Sequence, residues 1–77
     1  MKQKSITLFR DADGRVVDFE RWSCGPRGAE EKTRWLLSQE LYKACLRLQG
    51  AVIAEICRTP DASGDYIPVK SFGIQEV

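Results

Sequence analysis

Histidine is absent from this 77-residue chain. With it go the commonest general base, the ordinary activating partner of a Ser or Cys nucleophile, and the commonest metal ligand. No catalytic set, metal or cofactor is therefore expected. Cysteine is scarce: Cys24, Cys45 and Cys57 are an odd number without C-x-x-C spacing, which argues against a disulfide framework or a zinc site and for a reduced, cytoplasmic protein. Long apolar runs are missing too. The longest is Ala51 to Ala54, against the roughly 20 residues that cross a bilayer. The opening Met-Lys-Gln-Lys-Ser leads into a strand-like pattern and not into the apolar segment of a leader.

Charge of one sign is also lacking. Twelve basic and eleven acidic residues leave a net +1, and residues 1–28, 29–50 and 51–77 carry +2, +1 and −2. A dedicated nucleic-acid binder shows a clustered basic face and a much higher pI. The recurrence of Arg10, Arg15, Arg21 and Arg27 through the first third of the chain nevertheless makes nucleic-acid binding by an Arg-bearing β-ribbon the alternative reading.

What is present is an alternation of strand and turn signals around one helical stretch. Ile6 and Leu8 alternate with Ser5, Thr7 and Phe9, Asp11-Ala12-Asp13-Gly14 supplies a turn, and Arg15 to Trp22 returns, which predicts a hairpin over 4–22. Strong helix formers run from Ala29 to Gln49, with Glu30 and Glu31 near the expected N-terminus and Gly50 placed to end the helix. A second hairpin is expected over 51–72, its turn Asp61-Ala62-Ser63-Gly64 echoing the first at an offset of fifty residues; turn chemistry alone selects such residues. Pro68 cannot donate to a ladder and places the last strand at an edge, and residues beyond Gly73 are expected to fray. The predicted fold is a single small α+β domain over residues 1–77, ββαββ, two antiparallel hairpins forming one sheet with a central amphipathic helix on one face. A chain of this size buries only about 60% of its unfolded surface.

Winding 29–49 at the helical period gives a main stripe of Leu37, Leu41, Ala44, Cys45 and Leu48, expected to face the sheet, with Cys57 a second small apolar core residue. A second stripe of Trp35, Tyr42 and Leu46 lies about 120° away. One sheet face does not need both. In addition, a helix of about 20 residues spans roughly 30 Å, while seven-residue strands span roughly 23 Å. Trp35, Leu36, Tyr42 and Leu46 are therefore candidate contact residues for another chain, with Lys43 and Arg47 as a polar rim. An apolar open sheet face would be a second candidate interface.

The remaining motifs are weak. Cys24 beside Gly25 and a helix N-terminus has a setting that favours a thiolate, but no partner base accompanies it. Counted from Asp11, the sixth and twelfth places of a calcium loop hold Val16 and Trp22 instead of Gly and Glu. Gly25-Pro26-Arg27-Gly28 precedes a helix but fits no phosphate-loop pattern. By elimination the expectation is a small non-enzymatic protein-interaction module that masks a partner or pairs with itself. By analogy of size alone, its class is that of phage or mobile-element inhibitors of host defence complexes such as CRISPR interference machinery.

Overall fold

Gly14 adopts φ +84°, a left-handed conformation available to glycine at no steric cost. It closes the first hairpin together with Asp11, whose Oδ1 accepts the backbone N–H groups of Asp13 and Arg15, each at 2.9 Å. The computed structural model describes residues 4–59 and 64–77. The hairpin strands are β1 (Ser5–Asp11) and β2 (Val16–Trp22), followed by α1 (Pro26–Leu37), α2 (Glu40–Leu48), β3 (Ala51–Arg58), β4 (Ile67–Gly73) and a single 3-10 turn, Ile74–Glu76. All strand pairings are antiparallel, in the order β2-β1-β3-β4. β1 and β3 thus join the two hairpins at the centre, and Pro68 does lie on an edge strand. The turn expected at Asp61-Ala62-Ser63 lies outside the described residues.

The helical stretch corrects the sequence reading in two ways. It begins at Pro26, three residues earlier than expected, because proline at the first helical position has no N–H to leave unsatisfied and a φ already set for the helix. It is also two helices, not one. The Ser38 hydroxyl donates to the Trp35 carbonyl at 2.5 Å, and the Gln39 N–H turns back to Leu36 O at 3.0 Å. Gln39 is extended, with ψ 115°, and α2 starts from its carbonyl. Serine competing for a helix carbonyl is a recognised local route out of the ladder. The break also removes the length mismatch: α1 and α2, 12 and 9 residues long, span about 18 and 14 Å, each shorter than a seven-residue strand of roughly 23 Å.

The interruption resets the helical phase. α1 buries Ala29, Thr33 and Leu37, the i, i+4, i+8 face a continuous helix would give. α2 instead buries Leu46, with Tyr42 half-buried one turn earlier. Leu41, Ala44, Cys45 and Leu48, expected in the core, face solvent, Leu41 and Leu48 at 85% and 88% exposure. The main core therefore joins Phe9, Leu37, Leu46, Ala54, Ile56, Phe72 and Ile74 between helices and sheet. Ile74 is fully buried, so the segment after Gly73 contributes to the core where fraying was expected.

On β1 the helix-facing residues are Ser5, Thr7 and Phe9, all buried. Two of them are hydroxyls, and burial is tolerable only because each is bonded. Ser5 Oγ donates to Cys24 O at 2.6 Å. Trp22 Nε1 donates to Thr7 Oγ1 at 2.9 Å, and Thr7 and Thr33 share a hydroxyl–hydroxyl bond of 2.7 Å. This chain of bonds ties β2 through β1 to α1. Among the described residues no buried side-chain nitrogen or oxygen lacks a partner.

At the far edge, Glu30 ties α1 to β4. Its carboxylate meets Lys70 Nζ at 2.9 Å and Arg34 Nε at 3.1 Å, and those bonds, Lys70 first, hold its pKa below the usual carboxylate value. Glu30 thus acts between layers and not at the helix N-terminus. The Arg34 guanidinium also lies 4.2 Å over the Phe72 ring, a cation–π contact that covers an edge aromatic.

Candidate interaction surfaces

The six residues expected to form one protein contact surface are dispersed. Leu46 is buried, Tyr42 and Leu36 are half-buried, and Trp35 stands 64% exposed on α1. Tyr42 packs edge-on to Phe9 with ring centroids 6.2 Å apart, and its hydroxyl lies 3.3 Å from Glu20 Oε1. Burial, followed by the Glu20 carboxylate, pushes the Tyr42 phenol well above its ordinary pKa. Leu46 is thus a core residue and Tyr42 packs half-buried against the core, a correction to the second stripe as an exposed surface. Lys43 donates to the Val77 carbonyl at 2.8 Å. Lys43 and Arg47 line a depression of about 640 Å³ with Leu37, Ser38, Glu40, Ala44 and Val77.

Two other surfaces gather exposed apolar groups. The first is the outer face of α2, where Leu41, Ala44, Cys45 and Leu48 recur at i, i+3, i+4 and i+7. The second is the sheet face turned away from the helices. There Ile6 and Leu8 of β1 lie between Arg21 and Phe19 of β2 and Cys57 and Glu55 of β3. Ile6, Leu8 and Cys57 form a small buried cluster separate from the main core. Around it runs a depression of about 350 Å³ lined by Ile6, Leu8, Arg10, Val16, Phe19, Arg21 and Tyr66, with Val16, Phe19 and Tyr66 at 45%, 46% and 41% exposure.

A bulge decides which valine reaches this face. Pairing steps from Phe9↔Asp18 to Arg10↔Val16, so Val17 is the inserted residue. Val17 packs against the main core while Phe19 stays outside. Strand alternation alone would have put Val17 and Phe19 together.

Of the four arginines considered for nucleic acid, Arg10 and Arg21 meet at the depression. Arg15 follows the hairpin turn and Arg27 opens α1, so the four form no single stripe. Arg10 is already engaged, its Nε and Nη2 at 3.2 and 3.1 Å from Glu55 Oε1 and its Nη1 at 2.7 Å from Gly14 O. Arg21 lies 5.1 Å over the Phe19 ring. The floor is aliphatic, the rim carries two rings, and one cation is paired with a carboxylate. That suits an apolar side chain entering beside an acidic group better than a phosphate backbone.

The cysteines are all free. Cys57 is 1% exposed, and burial, with Glu55 alongside, pushes its thiol up to about 11. Cys45, expected in the core, is exposed and Cys24 is half-buried. Iodoacetamide at about pH 8 should therefore alkylate Cys45 and Cys24 in the native protein and reach Cys57 only on unfolding, since the thiolate is the reacting species. Mass spectrometry of timed digests checks this; labelling of Cys57 as fast as Cys45 would contradict the burial described.

Among the described residues no three His, Cys, Asp or Glu side chains come together as a metal site, and no helix is long and apolar enough to cross a membrane. Comparison with protein-family models, with curated proteins and with solved structures finds no match to this chain.

Proposed function

We propose that this protein is a non-enzymatic binding module that docks a protein partner on the open face of its sheet and acts by covering that partner's surface. One observation carries the reading: Val16, Phe19 and Tyr66 stand about half exposed around the floor of Ile6 and Leu8. Half-exposed aromatics over an apolar floor are what an interface centre is built from. Three unpaired cysteines, one of them exposed, fit a reducing, cytoplasmic setting. By size and build the partner class we favour is a multi-subunit host defence complex, CRISPR interference machinery included.

The test uses the protein as bait in extract of its native host, with nuclease added. Phe19→Ala is expected to weaken the captured complex by roughly 30-fold, about 2 kcal/mol at a central aromatic, while Trp35→Ala leaves it unchanged. Equal capture by wild type and Phe19→Ala overturns the reading.

The convergence of Arg10 and Arg21 on a depression with two aromatic rings favours one second reading, stacking of single-stranded nucleic acid. It predicts binding of a labelled oligonucleotide that weakens steeply with salt; the protein-docking reading predicts no such binding.

A further inference from the structure

We infer that the outer face of α2 pairs with α2 of a second copy of this chain, antiparallel and about a two-fold axis. The face carries Leu41, Ala44, Cys45 and Leu48, a pattern symmetric about the point between Ala44 and Cys45. An antiparallel copy therefore sets each Leu41 against Leu48 of its mate and meets small residue to small residue at the crossing. Small side chains there let the helix axes approach to the 8–10 Å of ordinary helix packing. Leucines at 85% and 88% exposure then pack against each other at both ends of a seam about 10 Å long.

Charge selects the direction. Glu40 and Arg47 stand two turns apart on the same flank of this seam, and neither has an ion-pair partner among the described residues. Antiparallel pairing brings that flank against itself, so Glu40 of one copy faces Arg47 of the other, twice over. Parallel pairing would set the same flank against the one bearing Tyr42 and Gln49 and form no ion pair. The opposed helix dipoles act in the same direction. A two-fold interface needs a self-complementary patch, and this face is one.

A nine-residue helix covers less than the roughly 800 Å² per partner of a standard stable interface, so the dimer is weak, with dissociation in the micromolar range. Because α2 lies on the helix side of the sheet, the dimer leaves both sheet-face depressions free and directed outward. The inference is independent of what docks in them.

Sedimentation velocity of the reduced protein over a concentration series tests it. Expected is a monomer at low concentration and a dimer at high concentration. Leu41→Glu with Leu48→Glu should give a monomer throughout with unchanged melting, because both side chains are solvent-facing. Glu40→Arg should weaken association at least tenfold, and adding Arg47→Glu should restore it. A wild type that is monomeric throughout overturns the proposal, as does a dimer insensitive to the leucine changes. Failure of the charge swap to restore association overturns the antiparallel arrangement.

Discussion

Phe9→Ala should be strongly destabilising, by about 3–5 kcal/mol. Phe9 is fully buried at the centre of the sheet's helix face, pairs with Ala54 across the ladder and meets the Tyr42 ring edge-on. Removing such a ring costs about 3–5 kcal/mol. A domain of this size has about 4–12 kcal/mol in total, so the loss takes from about a quarter to all of the margin. At about 4–8 °C per kcal/mol for domains of this length, melting should fall by roughly 12–40 °C. Circular dichroism melts with urea titration measure it. A cooperative transition within about 1 kcal/mol of wild type would show that the core is not where these residues place it.

Leu46→Ala and Leu41→Ala form the second pair, and the contrast between them is the result. Leu46 is 1% exposed and Leu41 85%, though both are leucines of the same nine-residue helix. Leu46→Ala should cost about 2–5 kcal/mol. Leu41→Ala, and equally Leu48→Ala, should stay within about 0.5 kcal/mol, the range of surface changes away from special features. An unbroken helix over 29–49 would reverse that order, so urea midpoints of the two variants decide between the geometries.

That reversal shows where sequence reading stops. The hairpins were legible because turn and strand signals are local: Asp11 and Gly14 dictate the first turn, and the alternation along β1 places Phe9 opposite Ile6 and Leu8. The helix break was not legible, because Ser38 and Gln39 carry no glycine or proline signal. The break rests on local bonds, Ser38 Oγ to Trp35 O and Gln39 N–H to Leu36 O, that residue types common within helices do not announce. Once the phase is reset, the surplus apolar stripe is real but changes identity, from Tyr42 and Leu46 to Leu41 and Leu48.

The open sheet face was foreseeable as a possibility and no further. Its character depends on the bulge at Val17, which separates Val17 from Phe19 in a way residue alternation cannot express. Ile74 shows the same limit at the chain's end: one isoleucine among polar neighbours gives no periodic signal, yet it is fully buried.

The central claim is that the masked protein partner docks over Phe19 on the sheet and not over Trp35 on α1. Site-specific photocrosslinking tests it most directly, with a photoreactive phenylalanine analogue placed at position 19 in one variant and at position 35 in another, expressed in the native host and irradiated there. The account predicts a discrete protein adduct from position 19 and none from position 35. Adducts from position 35 alone, or nucleic-acid adducts alone from position 19, would contradict it.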